Sequence, residues 1–350
     1  MIDPDFWRGR RVLVTGHTGF KGSWLSLWLV SLGAEVAGLS TPPPTEPSLY
    51  ELARVGELVA STDADVRDAE AVTAAVSRAR PEVIVHMAAQ SLVRPSFAVP
   101  RETYEINVMG TVNVLEAARA AGDVGTVLVV TSDKCYENRE WEWPYREDDP
   151  KGGFDPYSSS KACQELVAAA WRRSFDLRIA TGRAGNVIGG GDWALDRLVP
   201  DAMRAALSGT PLRVRFPDAI RPWQHVLNPL EGYLRLIQAA WDDPRHADGF
   251  NFGPEERDVR PVRDILDGLA ERWGDGLAWE HDGGEHPHEA GVLKLDSSRA
   301  RARLGWAPRW DLETGLAAVI EWTKAYQAGD DPRATTLAQI EAFQGAEVAA

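Results

Sequence analysis

A tyrosine and a lysine stand four residues apart in the segment from Tyr157 to Lys161, which reads YSSSK. Asp155 and Pro156 before it are typical of a helix N-cap and first turn, so both side chains are expected on one helix face. A tyrosine phenol has a pKa of about 10 and is therefore a poor base near neutral pH. A neighbouring ammonium group stabilises the phenolate and lowers that pKa. Such a tyrosine can remove a hydroxyl proton while a hydride leaves the same carbon atom.

Three polar residues follow the apolar run from Val127 to Thr131, which predicts a strand. Ser132 could share a substrate oxygen with the tyrosine, while Asp133 and Lys134 supply an acid and a potential base. Asn107 stands among apolar neighbours in a predicted helix. A solvated helical position would also suit an asparagine, but these neighbours favour a buried polar role, and we count it among the candidate catalytic residues.

A glycine-rich turn follows the first apolar strand directly and opens a helix. Gly16 permits a tight turn, Gly19 allows backbone N–H groups to approach a pyrophosphate, and Gly22 permits close packing of helix on strand. The pattern predicts a dinucleotide site made of Gly16, His17, Thr18, Gly19, Phe20, Lys21 and Gly22.

The residue that usually chooses between NAD and NADP is missing from its expected place. The stretch from Gly38 to Thr41, about 20 residues beyond the turn, contains no Asp, Glu or Arg. Asp65 and Val66, near a later strand end, are candidates to contact adenine. A helix N-cap at Asp68 is an equally good interpretation of that acidic segment. Spacing alone therefore leaves both cofactors open.

Guanidinium groups in the second half of the chain could bind a diphosphate. Arg197 and Arg221 are the main candidates. Arg213 and Arg215 either join them or lie on the solvated face of a strand, and the two interpretations are equally supported. His225, four residues beyond Arg221, is a further candidate for substrate contact.

A run of histidines resembles a metal cluster at first sight: His281, His286 and His288, followed by Glu289. Their loop is rich in glycine and their spacing matches no closed zinc site. We therefore expect a surface or substrate-lid role, assign His288 to substrate binding, and predict no metal site.

The elements that must position these residues alternate between short β-branched runs and helical patterns, which predicts an α/β fold with a Rossmann-type doubly wound parallel sheet. The predicted strands are Val12–Thr15, Glu35–Leu39, Val83–Met87, Val127–Thr131 and Leu177–Thr181. The predicted helices are Gly22–Leu32, Ala69–Ala79, Arg101–Ala121 and Pro156–Arg173. Residues 1–185 form the predicted first domain, to which 223–250 return, and 186–222 and 251–340 form a smaller C-terminal α/β lobe.

Composition limits the class of protein. The chain has 350 residues, 44% hydrophobic, with two cysteines and a net charge of −14. These values indicate a globular protein of a reducing compartment, and the acidic balance argues against nucleic acid or an anionic membrane as partner. The N-terminal MIDPDFWRGRR is unlike a signal peptide, and Trp24 to Leu32 is far shorter than a membrane span of about 20 residues. We therefore expect a cytoplasmic protein.

Together the motifs resemble the extended short-chain dehydrogenase/reductase superfamily of NAD-dependent epimerases and dehydratases. Within it, the segments TSDKCYEN, GNVIGGGDWA and RPWQHV are similar to those of the CDP-glucose 4,6-dehydratases. Matching segments run from the first strand to beyond Leu304 and so cover nearly the whole chain. The resemblance implies NAD in the first domain, CDP-glucose in the C-terminal lobe, and a homodimer formed through helices such as Arg101–Ala121 and Pro156–Arg173.

The resemblance also implies a reaction. NAD+ takes a hydride from C4 of the glucose while Tyr157, assisted by Lys161 and Ser132, removes the O4 proton. A base removes the C5 proton, Asp133 protonates the departing C6 hydroxyl, and water leaves. Return of the hydride to C6 and reprotonation of C5 then give CDP-4-dehydro-6-deoxy-D-glucose and regenerate NAD+. It adds further contacts, to the cofactor from Ala88, Ala89 and Gln90 and to the substrate from Ser91, Arg94 and Asn186.

Lys134 departs from the related dTDP-glucose enzymes, which carry a glutamate as the C5 base. A lysine acts as a base only when neutral, which requires desolvation or a nearby charge such as that of Lys161. We hypothesise that Lys134 removes the C5 proton, with stabilisation of the enolate as the competing interpretation. A 4-epimerase would not need the Asp133–Lys134 pair, and a dinucleotide-binding regulator would not need Tyr157, so these two alternatives are less well supported.

Overall fold

The computed structural model describes residues 2–284 and 290–347. Its strands are β1 (Arg11–Thr15), β2 (Glu35–Ser40), β3 (Ala60–Asp63), β4 (Val83–His86), β5 (Thr126–Val130), β6 (Ile179–Ala184), β7 (Asn186–Ile188), β8 (Leu212–Val214), β9 (Ile220–His225), β10 (Gly249–Phe252), β11 (Val259–Pro261) and β12 (Trp279–His281). Its α-helices are α1 (Pro4–Trp7), α2 (Phe20–Ser31), α3 (Leu49–Leu52), α4 (Ala69–Ala79), α5 (Val93–Ala98), α6 (Pro100–Tyr104), α7 (Gly110–Ala121), α8 (Pro156–Ser174), α9 (Leu198–Ser208), α10 (Leu227–Asp242), α11 (Val262–Trp273), α12 (Ser298–Leu304), α13 (Leu312–Ala328) and α14 (Pro332–Gly345).

Seven parallel strands form the main sheet in the order β10-β6-β5-β4-β1-β2-β3. The central strands β4 and β5 are buried along their whole length, as expected for a parallel sheet covered on both faces. The order reverses between β1 and β4, where the chain turns first to β2 on one side and later to β4 on the other. The predicted α/β fold with a doubly wound parallel sheet is confirmed.

Helix α2 is buried on nearly every side, which explains why its sequence is apolar nearly all round. Trp24 and Trp28 are fully buried, and Trp28 also packs edge-on against Phe343 of α14, with ring centroids 5.7 Å apart. The helix lies beneath the C-terminal helix as well as beside the sheet, so it has no wide solvated face. Gly33, with φ of 83°, follows its end in the left-handed conformation that glycine adopts without strain.

A smaller layer covers the carboxyl ends of the main sheet. It contains a three-stranded sheet, β11-β9-β7, and a parallel pair, β12-β8. Helices α9, α11 and α13 surround a second apolar core that includes Val199, Ile265 and Leu316. Strand β10 returns to the main sheet beside β6, while Trp322 and Phe343 of the C-terminal helices join the core of the first domain. The division into a dinucleotide domain and a sugar-nucleotide lobe stays a prediction.

Several boundaries differ from the predicted ones for identifiable reasons. The strand predicted at 177–181 begins at Ile179, because α8 continues to Ser174 and pairing with β5 starts at Ile179. The helix predicted over 101–121 is interrupted by a π-helical turn at Glu105–Met109. Strand β3 escaped prediction because it is a largely exposed edge strand with the polar sequence ASTD.

Within residues 2–284 and 290–347, no helix combines the length and the apolar character needed to cross a membrane.

Candidate active site

A cleft of about 1180 Å³ lies along the carboxyl ends of the main strands. One wall comprises the glycine-rich turn and the ends of β4 and β5, and the other comprises α9 and β8. Open parallel sheets bind ligands at the point where the strand order reverses. The volume exceeds the roughly 300–1,000 Å³ of a pocket for one drug-sized molecule, so it can hold two ligands side by side.

The turn between β1 and α2 leaves the first N–H groups of the helix without a side-chain cap. Gly19 is the N-cap of α2 and makes no side-chain hydrogen bond to it. Gly16 has φ of 74°, and a Cβ atom there would lie 2.7 Å from the backbone nitrogen of Ala88, so this position requires glycine. Uncapped N–H groups at the positive end of a helix dipole suit a pyrophosphate. The turn therefore fits the predicted dinucleotide.

We expect Gly22→Ala to weaken dinucleotide binding by at least about tenfold and to destabilise the fold by about 1–3 kcal/mol. A Cβ atom at Gly22 would lie 2.1 Å from the carbonyl oxygen of Gly16, so α2 must move away from the turn. Titration with NAD+ followed by tryptophan fluorescence and thermal unfolding measure the two effects. Gly345→Ala is the matched control, because nothing lies within 4 Å of its added Cβ; equal NAD+ affinity in both variants would contradict the expectation.

Six of the seven predicted turn residues line the cleft, but His17 does not. Its ring is fully buried under Gly38 of β2, where a Cβ atom would come within 2.4 Å of the ring. Its Nε2 hydrogen-bonds with the hydroxyl of Ser61 at 2.7 Å. Burial lowers the pKa of His17 to about 4, so the ring is neutral. The side chain of His17 supports the turn from behind, and a cofactor contact from this residue stays a prediction that its backbone would have to fulfil.

The acidic segment after β3 contains two residues that line the cleft and one that caps a helix. Asp65 and Val66 line the cleft, as predicted for adenine contacts. Asp65 also accepts hydrogen bonds from the backbone and guanidinium of Arg67, at 2.8 and 2.7 Å, which lower its pKa against the effect of burial. Asp68 is the N-cap of α4 and accepts from the N–H groups of two residues in its first turn.

Asn107 lies in the π-helical turn and is completely buried. Its Oδ1 accepts from the backbone N–H of Gln90 at 2.9 Å, and its Nδ2 donates to the carbonyl of Gln90 and to the hydroxyl of Ser160. The side chain does not line the cleft, and its catalytic assignment stays a prediction. Asn107 positions the backbone of Gln90, which does line the cleft together with Ala88 and Ala89.

The structure brings Tyr157, Lys161 and Ser132 together at the floor of the cleft. Lys161 Nζ lies 5.9 Å from the centroid of the Tyr157 ring and donates to the carbonyl of Val130 at 3.3 Å. Burial raises the pKa of Tyr157 to about 12, although a hydrogen bond with Ser132 works in the opposite direction. Burial and the charge of Lys21 lower the pKa of Lys161 to about 7. The expected lowering of the tyrosine pKa is therefore wrong for the ligand-free protein, because burial disfavours the phenolate more than the neighbouring groups stabilise it.

Asp133 carries an unpaired oxygen at the centre of the site. The residue is 1% exposed, and its Oδ1 accepts from the hydroxyl of Ser132 at 2.9 Å. Its Oδ2 is buried without a hydrogen-bond partner among the described residues. Such an atom costs stability unless a ligand satisfies it. Lys134 Nζ lies 4.0 Å from Asp133 Oδ1, and its side chain remains 29% exposed at the cleft.

Arg197 crosses the cleft wall close to the predicted sugar site. Its guanidinium donates to the hydroxyl of Ser91 and to Asp192, each at 3.0 Å. Arg94 makes a 2.6 Å contact with Asp196 one residue before Arg197. The candidate diphosphate contacts are therefore held by carboxylates and a hydroxyl and still line the cleft.

The remaining predicted substrate contacts divide into two groups. Asn186, Arg213 and Arg221 line the cleft, although Arg213 is three-quarters exposed and pairs with Glu280 at its rim. His225 does not line it: the ring is fully buried against Trp310, and burial lowers its pKa to about 3. Its substrate assignment stays a prediction, and a substrate contact would require this buried ring to be reached from the cleft.

The histidine run lies mostly outside the described residues. His286, His288 and Glu289 fall in the undescribed segment, so the substrate assignment of His288 stays a prediction. His281 is exposed at the end of β12. Over the described parts of the chain, no three His, Cys, Asp or Glu side chains are grouped to hold a metal ion.

Sequence reasoning missed the charged residues beneath the site. Glu165 and Arg183 form a buried ion pair, with Nη2 and Oε2 2.6 Å apart. The signal was present for Glu165, since it follows Tyr157 and Lys161 at four-residue steps on the same helix face. No local pattern distinguished Arg183 from the other arginines.

The fold and the cleft define a nucleotide-sugar short-chain dehydrogenase/reductase scaffold. The GDP-mannose 4,6 dehydratase family model matches residues 13–319, and the chain belongs to this family. It is 49% identical to a CDP-glucose 4,6-dehydratase of Salmonella typhimurium over 99% of both chains. The resemblance to extended short-chain dehydrogenases/reductases is confirmed.

Solved structures share the fold over most of the chain. The UDP-glucose 4-epimerase of Stenotrophomonas maltophila, with bound NAD and formylated UDP-arabinopyranose, superposes with a TM-score of 0.80 at 23% identity, covering 91% of this chain and 99% of that one. The UDP-glucose 4-epimerase of Thermus thermophilus, a complex with NAD, gives a TM-score of 0.78 at 25% identity, covering 90% and 99%.

Proposed function

We propose that the protein is an NAD-dependent hydro-lyase that converts CDP-D-glucose to CDP-4-dehydro-6-deoxy-D-glucose. The observation that carries the proposal is the meeting of Ser132, Asp133, Lys134, Tyr157 and Lys161 in one cleft beside the glycine-rich turn. This arrangement supplies both an oxidation centre and an elimination pair. The choice of CDP-glucose draws on the 49% identical relative of that name.

The turn residues from Gly16 to Gly22 and the segment Ala88–Gln90 would hold NAD, with Asp65 and Val66 toward its adenosine. NAD supplies a reversible hydride acceptor, which makes C4 oxidation and reduction at C6 parts of one cycle. The NAD complex of the 25% identical epimerase supports this cofactor choice. Backbone N–H groups at the start of α2, rather than net charge, would bind its pyrophosphate.

Tyr157 removes the O4 proton of the glucose as the C4 hydride departs. Its hydrogen bond with Ser132 orients the phenol and allows both hydroxyls to share the substrate oxygen. The Val130 carbonyl holds Lys161 beneath the two hydroxyl groups. From this position, the ammonium form of Lys161 stabilises the negative charge that develops on the phenolate.

Asp133 and Lys134 carry out the elimination. The 4-ketone acidifies the C5 proton, Lys134 removes that proton, and Asp133 protonates the departing C6 hydroxyl so that water leaves. The unpaired Oδ2 of Asp133 is available for this hydroxyl. The exposed position of Lys134 Nζ at the cleft allows it to reach the sugar. Stabilisation of the enolate by the lysine is the competing role.

The substrate diphosphate lies against the guanidinium groups of Arg197 and Arg221. Arg197 is held from both sides by Ser91 and Asp192, and Arg221 is anchored by the carbonyls of Ile220 and Gly291. Preorganised planar donors of this kind match phosphate oxygens. Arg94 and Asn186 extend the same wall.

Incubation with CDP-glucose and NAD+ tests the proposal. Mass spectrometry should show a product that has lost one water, and absorbance should show no net accumulation of NADH. An isomeric product would favour a 4-epimerase, and binding without turnover would favour a dinucleotide-binding regulator. Parallel assays with UDP-glucose and dTDP-glucose should give much lower kcat/KM, and equal values for the three would contradict the choice of cytosine.

We also propose a homodimer formed through the helices around α8. Large apolar side chains are exposed there, including Phe97 at 45%, Met109 at 51% and Leu166 at 61%. Helix α5, which carries Phe97, and the π-helical turn, which carries Met109, both contact α8, so the three residues belong to adjoining elements. Clustered apolar exposure of this kind is typical of an interface.

The two free cysteines, Cys135 and Cys163, agree with a reducing, cytoplasmic location.

Leu166→Glu should convert the dimer to monomer by placing a carboxylate in the apolar face. Light scattering behind size-exclusion chromatography would show the molecular mass halve at micromolar concentration. Leu58→Glu places the same charge at a 38% exposed leucine outside these helices and should leave the mass unchanged. A monomeric wild type, or a Leu166→Glu protein that stays dimeric, would refute the proposed interface.

A further inference from the structure

A buried ion pair lies directly behind the candidate catalytic groups. Glu165 follows Lys161 by one turn of α8, and both face the sheet. Arg183 of β6 donates to the two carboxylate oxygens of Glu165, at 2.8 Å from Nε and 2.6 Å from Nη2. Both side chains are 5% exposed. Two parallel, charge-assisted bonds of this type fix both partners in one geometry.

Glu165 is also bonded to the strand ends that carry the site. Thr131 donates to Oε1 at 2.5 Å and Thr181 donates to Oε2 at 2.7 Å. Thr131 immediately precedes Ser132, while Lys161 donates to the residue before Thr131. Two side chains of α8 therefore fasten the helix to the end of β5, at the two residues that directly precede Ser132.

Arg183 connects the same carboxylate to the elimination half of the site. Its Nη1 donates to the hydroxyl of Tyr136 at 2.8 Å and to the carbonyl of Glu147 at 3.1 Å. The hydroxyl of Tyr136 in turn donates to Asn251 at 2.6 Å. Asp133 and Lys134 lie between Thr131 and Tyr136 in the chain. The pair thus holds both ends of the segment that carries the acid and the proposed base.

The groups around Lys161 make Glu165 its counter-charge. Lys21 of α2 lowers the pKa of Lys161, whereas Glu165 raises it against the larger effect of burial. Cys135 carries no charge here, because burial raises the pKa of its thiol to about 12. His86 of β4 is neutral, because burial lowers its pKa to about 3. Burial raises the pKa of Glu165, but Arg183 and the hydrogen bonds from Thr131 and Thr181 together outweigh it and hold that pKa below the usual value. The carboxylate is therefore ionised at neutral pH.

We propose that Glu165 is a positioning residue that places a negative charge one helical turn from Lys161 and fastens α8 to the end of β5, and that Arg183 holds Glu165 in this position. The catalytic consequence rests on the proposed dehydratase function. The ionisation of Lys161 does not, because it is a property of the ligand-free protein. The inference extends the site from the cleft surface to a charged layer behind it.

Glu165→Gln tests the electrostatic part. An amide keeps the acceptor for one threonine but no longer stabilises the ammonium, so the pKa of Lys161 should fall by about half a unit to one unit. An ammonium is lost as the pH rises through its pKa, so a lower pKa moves the alkaline limb of kcat to lower pH. We expect kcat to fall roughly three- to tenfold on that limb, converge with the wild type toward acid pH, and leave KM for CDP-glucose within about twofold.

Nuclear magnetic resonance of ¹³Cε-labelled lysine measures the Lys161 pKa directly in the ligand-free protein, with Lys161→Met to assign its signal. This readout separates the inference from the proposed function. A wild type that fails to dehydrate CDP-glucose would refute the function, while the lysine titration would still support or overturn the counter-charge. An unchanged Lys161 pKa in Glu165→Gln would overturn it.

Two variants separate charge from folding. Glu165→Gln leaves Arg183 buried without its partner, which is strongly destabilising, so Glu165→Gln/Arg183→Met removes both charges together. A folded double variant in which the Lys161 pKa and the alkaline limb remain shifted supports the inference. Their return to wild-type positions would show that the pair is only structural. Thr181→Val removes one hydrogen bond but keeps the carboxylate, so it should lower the melting temperature without moving the limb.

Discussion

Tyr157→Phe is expected to lower kcat for CDP-glucose by about 10²- to 10⁴-fold, the range typical of removing a positioned general base. The ring sits in a buried site that a phenylalanine fills equally well. The lost hydroxyl is the group that hydrogen-bonds with Ser132 and would take the O4 proton. Because the proton is removed with the hydride, C4 oxidation itself should fail, and no reduced cofactor should accumulate in a single turnover.

Stopped-flow absorbance for NADH and mass spectrometry of the sugar nucleotide measure both results. KM should change little, since the diphosphate contacts remain, and the melting temperature should stay close to that of the wild type. Tyr326→Phe removes a phenol that does not itself line the cleft. It keeps the ring that packs against Trp193 and Trp322, and it should retain full turnover. A Tyr157→Phe protein with more than about a tenth of wild-type kcat would exclude the general-base role.

The protonation state of Tyr157 in the ligand-free protein follows from its burial. Burial raises the pKa of Tyr157 to about 12 in the ligand-free protein, so the phenol is protonated over the whole physiological range. Burial of the phenol opposes its ionisation more strongly than the neighbouring groups favour it. This is why sequence reasoning about an adjacent lysine gave the wrong direction: the four-residue spacing predicts proximity, but the depth of burial depends on the whole cleft.

Features predicted well from sequence are those with local causes. The turn at Gly16, the uncapped start of α2 and the shared face of Tyr157 and Lys161 each follow from residues within one strand-turn-helix unit or one helix. The parallel sheet follows from the alternation of such units. These patterns need no knowledge of distant contacts, and the structure agrees with each of them.

Features that the sequence did not reveal depend on side chains far apart in the chain. His17 faces Gly38 and Ser61 rather than the cleft, and His225 faces Trp310. A histidine in a motif gives no sign of which way its ring turns when the deciding neighbour is many residues away. Glu165 was missed for the same reason, since its partners lie on β5 and β6. Packing between elements, and not propensity within them, determines these positions.

Lys134→Met is expected to stop the reaction after C4 oxidation, lowering product formation by about 10²- to 10⁴-fold. Tyr157, Ser132 and Lys161 remain, so the 4-keto sugar should form and the cofactor should remain reduced. In D2O the wild type should incorporate deuterium at C5, and the variant should not. Rapid-quench mass spectrometry and absorbance distinguish this stalled state from the failure at the first step expected of Tyr157→Phe.

Lys134→Arg decides between the two roles of the lysine. A guanidinium keeps the positive charge that Lys134 places 4.0 Å from Asp133 Oδ1. It does not lose its proton in a protein, so it cannot act as a base. If Lys134 is the C5 base, Lys134→Arg should stall as Lys134→Met does and show no deuterium at C5. If the lysine instead stabilises the enolate by its charge, the arginine variant should keep much of the exchange and turnover that the methionine variant loses. Wild-type rates of C5 exchange in Lys134→Met would exclude the base assignment, because another group would then be removing the proton.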